Sequence, residues 1–140
     1  MGVAEFRVIA RHDLDADLLQ AHLLAFNVQA TGYDDGQDLA FVVEDGGELI
    51  AGVAGYTWGG ISEIHELWVH EAHRGAGLGS ALMRSAIGEA TARGCRLMFL
   101  SSHSFQAPEF YARLGFETVA VIEDKPLGFA DHILRRVLAA

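Results

Sequence analysis

The stretch Leu67-Trp68-Val69-His70-Glu71-Ala72-His73-Arg74-Gly75-Ala76-Gly77-Leu78-Gly79-Ser80 decides how this chain reads. It runs from a strand through a short turn and a glycine-rich loop into the first turn of a helix. Gly75, Gly77 and Gly79 remove the Cβ atoms that would hold a ligand away from the backbone. The loop opens a helix whose free N–H groups and positive dipole end face whatever sits in it. That combination suits a phosphate or pyrophosphate, with Arg74 as a fixed positive charge beside it. The spacing alone leaves open a tight turn with helix-packing glycines. Two common phosphate motifs are missing. No Gly-Lys-Ser/Thr follows, so this is not a Walker A loop. No acidic residue sits about 20 residues on at the end of a second parallel strand, so a dinucleotide fingerprint is poorly supported.

Outward from that loop, the elements alternate in type. Upstream, residues 39–44 and 48–58 read as strands joined by Asp45-Gly46-Gly47. Gly59-Gly60 turns the chain into a third strand, residues 62–69, completing an antiparallel meander. Downstream, residues 77–93 form a helix that Gly94 ends. The apolar run 96–100 is then a buried strand, parallel to 62–69 because a helix crossover joins them. Pro108 suits the first turn of another helix, ended by Gly115. Residues 116–123 and 130–138 are the last two strands. At the N-terminus, residues 4–10 alternate as a strand with Phe6 and Val8 on one face. Asp13 or Asp15 can cap a helix running to about Val28.

A chain of 140 residues is expected to be one domain, spanning 1–140. With 51% hydrophobic and 21% charged residues it has the make-up of a folded protein rather than a disordered one. Its apolar runs are too short to span a bilayer, and residues 1–10 carry no basic segment followed by an apolar core, so neither a membrane anchor nor a secretory signal is expected. A net charge of −9 argues against nucleic acid or anionic lipid as a partner. Cys95 is the only cysteine, which excludes an internal disulfide and fits the cytoplasm. The seven histidines show no ligand spacing, so no metal is expected.

Three features converge on one family. They are the loop Arg74-Gly75-Ala76-Gly77-Leu78-Gly79, the segment Ser104-Phe105-Gln106-Ala107-Pro108-Glu109-Phe110-Tyr111-Ala112-Arg113-Leu114-Gly115-Phe116, and the element order. Together they resemble the GNAT superfamily of acetyl-CoA-dependent N-acetyltransferases, most closely from Ile64 to Phe116. The loop matches that family's Arg/Gln-x-x-Gly-x-Gly/Ala motif, and the segment matches its Ala-x-x-Phe-Tyr-x-x-x-Gly-Phe motif. The resemblance implies an α/β (α+β) GNAT fold: a mixed, mostly antiparallel sheet, splayed between the fourth and fifth strands, with helices on both faces.

It also implies acetyl-CoA as cosubstrate. Residues 74–80 (Arg74, Gly75, Ala76, Gly77, Leu78, Gly79 and Ser80) would hold the pyrophosphate. The backbone around Leu67, Trp68 and Val69 would hold pantetheine, with the Val69 N–H facing the thioester oxygen. Ser104 stands where many members have an asparagine near the pantetheine arm. The acceptor would be a small-molecule or peptide amine.

An alkyl ammonium with a pKa of about 10 must lose a proton before it can attack, and the leaving thiolate gains from a hydrogen bond or a proton. Tyr111 is the candidate acid and cofactor contact. Glu63 and His65, two apart on the third meander strand, are candidate bases that should share a face with Leu67, whereas Glu66 should point to the other face. Phe129 stands where similar sequences tend to have histidine, which suggests a different acceptor. A non-catalytic acyl-CoA-binding or interaction module would keep the loop without this chemistry. Family members commonly pair through their sheets, which makes a homodimer through the final strand an expectation.

Overall fold

A computed structural model of the chain describes residue 4 and residues 6–138. The chain divides into two compact units, residues 1–34 and 35–140.

In the first unit a short 3₁₀ turn, Arg11–Asp13, leads into α1, Ala16–Thr31. Asp15 rather than Asp13 is the cap, its carboxylate accepting from the Leu18 N–H at 2.9 Å. The helix runs three residues past Val28 and ends where Gly32 turns left-handed (φ 78°). The strand expected at residues 4–10 is absent from the described residues. Phe6 and Val8 are 97% and 100% exposed, and no ladder includes them. Two alternating apolar residues are a weak signal, because a strand exists only where a partner completes its hydrogen bonds.

The second unit is built on a six-stranded sheet. Its strands are β1 (Gln37–Asp45), β2 (Glu48–Trp58), β3 (Ile61–Val69), β4 (Leu97–His103), β5 (Glu117–Glu123) and β6 (Ala130–Val137). The spatial order is β1-β2-β3-β4-β6-β5, and only β3 and β4 run parallel. The glycine pairs do what two-residue hairpins require. Gly46 and Gly47 have φ of 60° and 82°, and Gly59 and Gly60 have 59° and 82°. The final strand is not an edge: β6 lies between β4 and β5, because the chain steps outward to β5 before returning. Pairing of two copies through their sheets would therefore have to use β1 or β5.

Two further helices belong to this unit, α2 (Leu78–Ala92) and α3 (Pro108–Arg113). α2 packs over β1, β2 and β3, burying Leu82, Met83, Ala86 and Ala90 against Leu39, Val53 and Met98. Its C-terminus closes as the glycine predicts. Gly94 takes φ 84°, its N–H donates to Thr91 O, and the Cys95 N–H reaches back to Ala90 O at 2.9 Å. Arg93 then fastens the helix end to the sheet, one guanidinium nitrogen donating to Asp38 O and Thr57 Oγ1, both at 3.0 Å. Phe110, Tyr111 and Leu114 bring α3 onto the same core.

Two irregularities in β3 shape the site. Its ladder with β4 pairs only Ile61, Ser62 and Glu63 with Leu97, Met98 and Phe99. Beyond that the two strands run on unpaired, so the sheet splits there. These are the two strands between which the split was expected; without a strand at residues 4–10 they count as third and fourth. The second irregularity is a bulge on β3. Ala54 pairs with Glu66 and Gly55 with Ile64, leaving His65 unopposed.

Candidate functional site

The loop after β3 is a left-handed backbone path held open by glycine. Gly75 and Gly77 have φ of 83° and 85°, and a Cβ on either would meet nothing within 4 Å. Backbone conformation, not crowding, is therefore what requires glycine at both. Gly79 is different: a Cβ there would lie 3.4 Å from Phe110 Cζ and 3.8 Å from Val69 Cγ2. The first helical bond of α2 runs from the Ala81 N–H to Gly77 O at 3.0 Å. The N–H groups of Leu78, Gly79 and Ser80 therefore have no acceptor within the helix. Arg74 Nε donates to Val69 O at 3.0 Å, which anchors the guanidinium at the loop and leaves its terminal nitrogens available.

Register decides which backbone groups face the split. The His70 N–H donates to Ile50 O on β2 at 2.7 Å. Alternate residues of a strand direct N–H and C=O to the same side, so Trp68 also faces β2, while Leu67 and Val69 face the split. Across it, the Ser104 N–H donates to Ala130 O at 2.7 Å, which turns Ser102 toward β6 and Ser101 toward the split. Both walls thus carry backbone groups with no ladder partner. Such groups want hydrogen bonds, and an extended arm bearing amides, as pantetheine is, would satisfy them. The split opens into a cleft of about 790 Å³. The loop, the unpaired amides and the cleft together fit coenzyme A. The trace of Trp68 is the exception: it lines the cleft by its side chain, and its backbone is committed to β2.

Tyr111 lines this cleft, its ring edge-on to Phe110 at 5.0 Å and to Phe116 at 5.9 Å. Its hydroxyl has no hydrogen-bond partner among the described residues. Burial pushes the phenol above the ordinary value of 10, so it is a protonated donor at neutral pH. His65 also lines the cleft, and its Nε2 lies 3.6 Å from Glu63 Oε1. Glu63 itself does not reach the cleft wall, whereas Glu66 does.

The expected shared face of Glu63, His65 and Leu67 is corrected by the bulge. The extra residue inverts the alternation, so Leu67 and Val69 turn in against the core and Glu66 and Trp68 turn to the other side. The spacing of three between Ile64 and Leu67, where an unbroken strand would space by two, is the signal that could have revealed it. Ser104 is likewise placed elsewhere. Its hydroxyl accepts from the Ala130 N–H at 3.1 Å and ties the turn to β6 rather than lining the cleft. Sequence reasoning missed Ser101, Phe105, Gln106 and Phe110, which do line it. Gln106 holds the turn by accepting from the His103 N–H at 2.7 Å.

Comparison with known proteins agrees with this geometry. Residues 6–116 match the model of the acetyltransferase (GNAT) family. The chain belongs to the GNAT acetyltransferase family. It is 41% identical over 95 residues to blasticidin-S acetyltransferase of Streptomyces morookaense, covering 66% of this chain and 68% of that protein. Among solved structures, an acetyltransferase from Bacillus cereus ATCC 14579 superposes with a TM-score of 0.81 at 30% identity, covering 96% of this chain and 98% of the other. An aminoglycoside 6′-N-acetyltransferase complexed with coenzyme A gives a TM-score of 0.67 at 18% identity, covering 89% of each chain. At that identity the likeness is one of fold alone. The mixed six-stranded sheet split between β3 and β4 is thus a GNAT sheet. Among the described residues, no helix is long and apolar enough to cross a membrane.

Proposed function

We propose that this GNAT chain, as one domain over residues 1–140, moves the acetyl group of acetyl-CoA directly to an amine within a ternary complex. The observation that carries the reading is the early end of the β3–β4 ladder at Glu63 and Phe99. It leaves Leu67 and Val69 without ladder partners on β4, and only the Val69 carbonyl is taken up, by Arg74 Nε.

Acetyl-CoA supplies an activated acyl thioester. Residues 75–80 hold its pyrophosphate by backbone N–H groups, with Arg74 as counter-charge. His65 removes the proton from the amine nitrogen, and Glu63, 3.6 Å from its Nε2, stabilises the imidazolium that results. The Val69 N–H donates to the carbonyl oxygen as negative charge develops there. Tyr111 donates a hydrogen bond to the leaving sulfur as the carbon–sulfur bond breaks. With its acidity weakened by burial, and a thiol pKa of about 8.5, the phenol stabilises the thiolate more than it protonates it.

The similarity to a protein named for an antibiotic substrate supports a small-molecule acceptor. A buried, solitary Cys95 supports a cytoplasmic setting. The test is thiol release from acetyl-CoA across a panel of amines. Turnover that collapses in Tyr111→Phe supports the enzyme. Tight coenzyme A binding with no turnover of any amine would make the chain a binding module instead.

A further inference from the structure

The side chains lining the cleft sort onto two sides of the sheet. Leu67 and Val69 on β3 pack toward the core, as do Leu100 and Ser102 on β4, which are 3% and 2% exposed. Phe110 and Tyr111 join them there. By alternation, Glu66, Trp68 and Ser101 point to the opposite side. His103 shares that side, and Phe105 stacks on it with ring centroids 5.1 Å apart and planes 2° from parallel.

That second side has an unusual make-up for a water-filled cleft. Phe105 is 55% exposed and Trp68 is 44% exposed, one on each wall of the split. Glu66 and His65 line the same cleft, both from the β3 wall that carries Trp68. Arg74, among the described residues the one arginine or lysine lining the cleft, donates through Nε to Val69 O. Phe105 is also a braced ring rather than a loose one. Phe129 meets it edge-on at 5.2 Å and 84°, and the His103 ring beneath it is held by Nδ1 at 2.9 Å from Lys125 O. Position 129 therefore acts on the cleft indirectly, as the buttress of a residue that lines it. Large apolar rings fixed in water beside a carboxylate match a ligand with a flat π-face and a positive end.

We infer that the acceptor is a small amine bearing a flat conjugated ring, which lies against Phe105 and Trp68 with its cationic end toward Glu66 and His65. This rests on the acetyl-transfer reading and narrows its substrate class. The ring contact orients the amine, and the carboxylate selects its charged form on entry before His65 takes the proton.

The test compares 2-phenylethylamine with 2-cyclohexylethylamine, which carry the same amine on a flat and a puckered ring. The wild-type protein is expected to favour the flat ring in kcat/KM. Phe105→Leu is expected to shrink that preference by about 2- to 13-fold, the range of an aromatic contact. Phe105→Tyr, which keeps the ring, is expected to restore it. Coenzyme A affinity measured on each variant reports that the protein has folded. Equal efficiency for the two amines, or a preference unmoved in a folded Phe105→Leu, overturns this inference alone. Failure of both amines while other amines are acetylated also overturns it and spares the acetyl-transfer reading. Failure of every amine despite coenzyme A binding overturns both.

Discussion

Two glycines of the same helix should respond to alanine with opposite signs. Gly77 caps α2 at φ 85° and ψ 8°, and Gly88 lies in its exposed interior. Neither substitution causes a clash, because a Cβ at either position meets nothing within 4 Å. At Gly77 the whole cost is left-handed backbone strain, about 1–2 kcal/mol for a residue with a Cβ. At Gly88 alanine removes a helix-interior glycine and stabilises by about 0.5–1 kcal/mol. Unfolding entropy of about 2.1 cal/mol/K per residue makes 1 kcal/mol worth roughly 3 °C in a chain of this size. Gly77→Ala should therefore melt about 3–7 °C lower, and Gly88→Ala about 2–3 °C higher. The functional consequence also separates them. Relaxing the strain at residue 77 swings the amides that face the loop, and losing one charge-assisted hydrogen bond weakens coenzyme A binding by about 10-fold or more. Gly88 is remote from the loop and should leave the affinity unchanged. Thermal melts with and without coenzyme A read both effects. A Gly77→Ala protein with wild-type melting and wild-type affinity would refute the assignment of the loop.

Two other substitutions probe the chemistry and the split. Tyr111→Phe should lower the rate of thiol release by about 100-fold while preserving coenzyme A affinity within a few-fold, because the ring still packs and only the donor is lost. The Tyr111 phenol is raised by burial, so it holds its proton longer in the folded state than in the unfolded one. The stability this contributes should be present below pH about 10 and fall as pH rises beyond it, and the wild-type minus Tyr111→Phe phenolate absorbance should titrate above pH 10. Gly55→Ala should be among the most damaging single changes, costing about 3 kcal/mol or more in denaturant titration. Its Cβ would run into the Glu63 carbonyl oxygen, and β2 and β3 backbone cannot separate there without undoing the bulge at His65. A Gly55→Ala protein of ordinary stability would contradict the close approach.

Much of this molecule could be read from local rules. The hairpin glycines, the Gly94 helix end and the open loop before α2 each follow from a backbone conformation that few residues other than glycine adopt, so they are visible one at a time. What was not visible depends on partners. Nothing in residues 4–10 says whether a second strand stands ready to pair with them, and nothing in β6 says that β5 will lie outside it. The face of Leu67 was misread because alternation was carried across His65, where an unopposed residue inverts it. β4 was expected over residues 96–100 because the apolar run ends there. It runs on to His103 because β6 pairs with it and because a strand bordering a cleft need not be apolar on that side. Phe105 and Phe110 sat within a motif read for Tyr111, and only the fold shows that their rings reach the same cleft.

The central claim is that coenzyme A lies along the unpaired edge of β3 with its diphosphate in the loop before α2. An amide-resolved NMR titration with coenzyme A tests it most directly. The account predicts that the largest shifts fall on Leu67, Val69 and residues 75–80, with Trp68, whose amide faces β2, moving less. Saturable binding whose shifts leave those amides untouched, or no binding at all, would contradict it.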